Sequence, residues 1–129
     1  ERYLREEGIS VEVIDPIWLS PIDFDLIVAS VKKTGKLCVV DNAWLSCGVS
    51  AEIITGTLER VQGSRQCSIL RIGFAPITCP PSPLLENAFY PNARSIASEV
   101  FDMIHGGTRD WMPEERDDDF PNIEFKGPF

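Results

Sequence analysis

Three groups of residues in this 129-residue chain have types and places suited to chemistry. The first is a pair of carboxylates. Asp15 follows the apolar alternation Ile9 to Ile14, and Asp41 follows the β-branched run Leu37 to Val40. If those strands are neighbours, the two carboxylates share one sheet edge and can hold a cation or act as an acid/base pair. Asp is also a common turn former where strands end, a role that needs no ligand. The second group is the turn Asp41-Asn42-Ala43-Trp44, an acid, an amide and an indole between a strand and a helix. Open α/β sheets place working groups at such junctions. The third is His105, the one histidine. It falls in the last turn of a helix, where a cation complements the dipole, and no nucleophile or second base is spaced with it.

The familiar catalytic signatures are missing. There is no G-x-G-x-x-G, no P-loop, no G-x-S-x-G and no H-E-x-x-H. Cys38, Cys47, Cys67 and Cys79 form no C-x-x-C pair and have no histidine at metal spacing. Cys38 and Cys67 lie inside apolar strand patterns and read as buried free thiols of a reducing compartment. The net charge of −8 argues against nucleic acid, whose phosphates need clustered Lys and Arg, and against an anionic membrane surface. No apolar run approaches the roughly 20 residues of a membrane span, and no basic start leads into an apolar stretch. The composition, 43% hydrophobic and 25% charged, is that of a globular domain.

The elements that must position these residues follow from periodicity. Glu1 to Glu7 reads as the end of a helix closed by Gly8, so the chain is expected to be a fragment of something longer. Ile9 to Ile14 reads as a strand ended by Asp15-Pro16. Ser20, with Pro21 and Asp23, is expected to start a helix carrying Ile22, Leu26, Ile27 and Val31 on one side, with Gly35 closing it. Lys36 to Val40 is the next strand. A helix over Ser50–Gln62 presents Ile53, Ile54, Leu58 and Val61, and Gly56 inside it marks close packing of two backbones. Cys67 to Ile72 is a third strand, and Gly73 to Pro91 a long proline-rich loop. Asn92 caps a last helix with Ile96, Val100, Met103 and Ile104 on its buried side. Strands alternating with helices predict a three-layer α/β/α domain with a mainly parallel sheet.

The composition changes at Thr108. Residues 108–129 hold seven acids against three bases, interleaved with Trp111, Phe120, Phe125 and Phe129. Residues 1–107 are thus expected to form the domain. The rest reads as an acidic tail whose aromatics dock on a surface.

Several stretches carry a resemblance. Gly8-Ile9-Ser10-Val11-Glu12-Val13-Ile14-Asp15, Leu19-Ser20-Pro21-Ile22-Asp23 and Ser30-Val31-Lys32-Lys33-Thr34-Gly35 resemble the C-terminal domain of the transketolase superfamily. The likeness is greatest to the beta subunit of thiamine-diphosphate-dependent 2-oxo-acid dehydrogenases. It continues through Val39-Val40-Asp41, Trp44, Ala51-Glu52-Ile53, Arg71, Leu85-Glu86, Pro91 and the closing helix, covering residues 4 to 105. The chain departs from the family at Ile17, where Arg is common, at Asn42-Ala43, at Gly48-Val49-Ser50 and at Pro76-Ile77-Thr78.

The resemblance implies part of an enzyme. The whole would decarboxylate pyruvate or a related 2-oxo acid and pass the acyl group to a lipoyl carrier. Thiamine diphosphate and Mg would be held by regions this chain lacks, so no residue here is assigned a catalytic, cofactor or metal role. The implied partners are the subunit's own N-terminal domain, the alpha subunit, a second beta subunit and the acyltransferase core. A cytoplasmic or mitochondrial-matrix location goes with them. The interface candidates are Asp41, Trp44, Glu52, Pro83, Glu86, Trp111 and Phe129. The resemblance also implies a central strand that this chain lacks, leaving unpaired strand edges for the full polypeptide to cover. Two other readings stay open. One is the C-terminal domain of transketolase or deoxyxylulose-phosphate synthase. The other is a small α/β domain that binds a cation or ligand through Asp15 and Asp41.

Overall fold

The described residues of the computed structural model are 1–61 and 67–116. Their elements run α1 (Arg2–Glu6), α2 (Phe24–Thr34), β1 (Lys36–Trp44), α3 (Val49–Val61), β2 (Ser68–Phe74), α4 (Pro83–Phe89) and α5 (Ala93–His105). The two strands are parallel, with Lys36 opposite Ser68 and Val40 opposite Ile72. Parallel neighbours need a crossover connection, and α3 provides it. The ladder slips after Val40 and resumes where Trp44 faces Phe74.

Period-two alternation in β1 divides the core into two layers. Leu37 and Val39 face α2 and α3, where Ile27, Val28, Val31, Ile53, Ile54 and Val61 close around them. Cys38 faces the other way, with Leu70 of β2, onto Tyr3 and Leu4 of α1 and Ala97, Val100 and Phe101 of α5. A parallel sheet is stable when both faces are covered, and here both are.

Local chemistry sets most element ends. Gly8 takes φ +74° and closes α1 with two bonds, Gly8 N–H to the Arg5 carbonyl and Ile9 N–H to that of Leu4. Gly35 closes α2 in the same left-handed region. Asn92 caps α5: its side chain accepts from the N–H groups of Arg94 and Ser95, while Ser95 Oγ accepts from Asn92 N–H.

Six expectations need correction. Ser20 does not cap α2; Asp23 does, its carboxylate accepting from the N–H groups of Asp25 and Leu26, so the helix opens later. Residues 9–15 form no ladder with a described strand; a cavity lies between them and the edge of β1. Asp41 to Trp44 is the end of β1 and not a turn. Gly73 to Pro91 contains α4. Gly56 makes room for a ring and not a backbone: a Cβ there would run into Phe24, which also lies under the Arg60 guanidinium at 4.1 Å. Leu26 and Leu58, expected inside, are exposed, while Ala97 and Phe101 are buried in α5.

Two substitutions separate these causes. Gly56→Val forces a branched side chain against the Phe24 ring and is expected to cost about 2 kcal/mol. Asn92→Ala removes the cap of α5 and is expected to cost about 1 kcal/mol. Denaturant unfolding measures both. A neutral Gly56→Val would show that the ring moves aside freely.

Candidate functional site

Two features at the sheet are open to other molecules. The first is the carboxyl end of the strands. Here Asp41, half-buried, accepts from the Ser50 N–H in the first turn of α3 at 3.3 Å. Arg71 of β2 reaches across the sheet end. Its guanidinium donates to the Leu45 carbonyl and, at 3.3 Å, to the fully buried Ser50 hydroxyl. Arg71 therefore braces the connection between β1 and α3. Its Nε is buried without a hydrogen-bond partner among the described residues. Gly73 lets the chain pass this closely, since a Cβ there would lie 2.6 Å from the Ala43 carbonyl oxygen.

The brace fixes Trp44, whose side chain is 52% exposed. Its ring meets Phe74 edge-on at 6.0 Å, and Nε1 donates to the Ile77 carbonyl at 3.4 Å. Phe74 packs in turn on Phe89 and Tyr90, which tie the end of α4 to the same sheet end. Glu86, in the first turn of α4, is exposed. Glu52, in the first turn of α3, is exposed. The rings at positions 74, 89 and 90 were the group that periodicity alone did not single out.

The second feature is a groove of about 410 Å³ along the free edge of β1. Lys36 to Asp41 line one wall and Ser10 to Pro16 the other. Ile27, Val31 and Ile53 close it from one layer, Val100, Met103 and Ile104 from the other. The outer wall is held by Glu12, which accepts from the Ser30 hydroxyl at 2.6 Å and pairs with Lys33. Those two bonds hold the Glu12 carboxyl below the usual range, the Lys33 contact counting most. Beyond the groove an apolar lip stands in solvent, with Val13 75%, Ile17 82% and Trp18 74% exposed. Isolated exposed apolar residues such as Val13 are ordinary, but three in succession, Ile17, Trp18 and Leu19, mark a candidate interaction surface.

The remaining candidates sort out as follows. Asp15 and Asp41 both border the groove, but Asp15 ends no strand of the sheet, so the two do not share a sheet edge. No group of three or more His, Cys, Asp or Glu among the described residues is placed to hold a metal ion. His105 Nδ1 lies 2.9 Å from the Phe101 carbonyl and its ring stacks on Phe101, a structural setting. Trp111, offered as an interface anchor, stacks on this chain's own Phe101. Pro83 opens α4. Phe129 lies outside the described residues. All four cysteines are free; burial, with Glu99 nearby, pushes the Cys38 thiol up to about 11.

The family described as "Transketolase, C-terminal domain" matches residues 2–96. The chain belongs to this family. Among its relatives, the acetoin:2,6-dichlorophenolindophenol oxidoreductase subunit beta of Cupriavidus necator is 34% identical over 81% of this chain and 31% of its own length. The pyruvate dehydrogenase E1 component subunit beta of Bacillus subtilis is 37% identical over 72% of this chain and 28% of its own length. That of Staphylococcus aureus is 42% identical over 75% and 30%. The chain thus spans about a third of the length of the curated relatives it matches. A transketolase C-terminal domain accounts for the parallel strands and their α3 crossover. The match ends in the first turn of α5, so residues 108–116 lie beyond it.

Two outcomes follow. Arg71→Ala is expected to cost about 2 kcal/mol, because it leaves Ser50 and the Leu45 carbonyl short of a donor, and to change Trp44 fluorescence. The Glu12 tether is present above the ordinary carboxyl value of 4.5 and is lost as pH falls through the lowered folded value. NMR shifts of residues 9–15 are expected to follow that acid step and to be flat in Glu12→Gln. An unchanged step in the variant assigns it to another group.

Proposed function

We propose that this chain is the C-terminal assembly domain of the beta subunit of a 2-oxo-acid dehydrogenase. The whole enzyme carries out thiamine-diphosphate-dependent oxidative decarboxylation of pyruvate or a related 2-oxo acid and passes the acyl group to a lipoyl carrier. The identities to pyruvate dehydrogenase and acetoin oxidoreductase beta subunits support the enzyme class. The observation that carries the assembly role is the open edge of β1, with its apolar groove and lip. A parallel strand with one unpaired edge and apolar walls on both sides is a seat for more polypeptide. Further chain of the beta subunit fills it in this reading, while Trp44, Glu52 and Glu86 face the alpha subunit, a second beta subunit or the acyltransferase core.

The described residues do not fit the cofactor itself. The groove is walled mainly by aliphatic side chains. No carboxylate cluster suits Mg, and no glycine-rich loop suits a diphosphate. This domain's contribution is then to shape and hold the assembly. A cytoplasmic or mitochondrial-matrix location fits four free thiols, and no described helix is long and apolar enough to cross a membrane.

Co-purification tests the reading. The complete beta polypeptide, tagged, is expected to recover an alpha subunit and an acyltransferase of the 2-oxo-acid dehydrogenase class. Trp44→Ala, or Ile17→Ser with Trp18→Ser, is expected to weaken that recovery roughly tenfold, the loss typical of an exposed apolar anchor. Full recovery from both folded variants removes the assembly role. Deleting residues 108–129 probes the tail separately, and equal recovery takes it out of the docking surface.

A further inference from the structure

We infer that residues 108–116 form a strap that clamps α1 onto α5 and thereby fixes the outer wall of the β1 groove. The inference rests on contacts within this chain and not on the enzyme class. These residues lie past the end of the family match, and their backbone is irregular throughout. An irregular segment has polar backbone groups that need partners. One face of α5 supplies them. Ser98 Oγ donates to the Trp111 carbonyl at 2.7 Å, and Arg94 Nε donates to the Pro113 carbonyl at 2.9 Å. Positions 94 and 98 are one turn apart, so both donors stand on the same side of the helix.

Packing follows the same track. The Trp111 ring stacks on Phe101 at 4.6 Å, Phe101 stacks on His105, and Pro113 is buried. Beyond Pro113 the strap leaves α5 and crosses to α1. Arg94 pairs with Glu115 at 3.5 Å. Arg116 then donates to both carboxylate oxygens of Glu6, at 2.5 and 2.7 Å, and its guanidinium lies 4.6 Å over the Tyr3 ring. One side chain thus holds α1 by a two-point charge-assisted bond and by its buried ring.

The mechanical consequence runs through the short link after α1. That helix has five residues, too few to hold its shape without packing. Its closing bonds, from Gly8 and Ile9, lead directly into the extended residues that wall the groove. Ile9 and Val11 pack on the Phe101 cluster that the strap covers from outside. A strap that fixes α1 therefore fixes where residues 9–15 stand relative to β1. Glu12 holds the same wall from α2, so two independent tethers set the groove's width.

Hydrogen exchange and methyl NOEs on the full 129-residue chain test this. In Arg116→Gln and in Trp111→Ala, the bonded amides of Gly8 and Ile9 are expected to exchange roughly tenfold faster. NOEs from the Ile9 and Val11 methyls to the Phe101 cluster are expected to weaken, while β1 and β2 amides keep their rates. Wild-type exchange at Gly8 and Ile9 in both variants overturns the clamp. So does faster exchange spread evenly through α3 and β2, which would make the strap an ordinary part of the core. Arg116→Gln trims a side chain at the edge of α1 and leaves the Phe101 cluster filled, so it keeps the test decisive if Trp111→Ala does not fold.

Discussion

The structure depends on one short parallel ladder that has a single partner on one side. Every N–H and carbonyl of a strand wants a hydrogen bond, and among the described residues β2 is the one strand that pairs with β1. Two helical layers cover the faces, so what stays open is an edge. Several other features are arranged about that edge. Glu12 holds an extended segment in front of it, the α2, α3 and α5 side chains roof and floor it, and the 13–19 segment makes an apolar lip beside it. An edge of this kind invites pairing, which is why assembly is a stronger reading of this domain than catalysis.

The carboxyl end of the strands shows the same logic in a more polar setting. Strand-to-helix junctions of α/β sheets often carry the working groups of enzymes. Here the groups at the junction hold one another. Asp41 receives the Ser50 amide, Arg71 supports the Leu45 carbonyl and the Ser50 hydroxyl, and Trp44 leans on Phe74 and Ile77. The Asp41 carboxylate is taken up by the first turn of α3, and the Arg71 guanidinium by one carbonyl and one hydroxyl. What the junction leaves outside is an indole face, suited to contact.

Residues 94 to 116 show how an irregular segment is seated on a helix that also builds the core. The cap at Asn92 and the apolar side of α5 build the core. The flank of α5 beside Phe101 offers Arg94 and Ser98 to a passing chain. The segment uses that flank and then reaches α1, at the far end of the sequence. Sequence separation costs loop entropy, but that cost grows slowly with length, and one stacked indole with one charge-assisted pair can offset it.

The sequence by itself determined what depends on neighbours in the chain. Periodicity marked α2, α3 and α5, β-branched runs marked β1 and β2, and Gly8, Gly35 and Asn92 marked ends, because caps and amphipathic faces act over one or two turns. The family pattern was legible for the same reason, as an ordered set of local stretches. The tertiary structure decided what depends on partners distant in sequence. Residues 9–14 had a strand's alternation and no strand beside them, so they became a wall. Asp41 to Trp44 looked like a turn, yet Phe74 pairs with Trp44 and keeps that stretch in the sheet. Gly56 was read as a backbone contact until the Phe24 ring filled its space. Trp111 had the composition of a docking anchor, and Phe101 was already there to receive it. In each case the residue's own type was readable, and the partner that fixed its role came from another element.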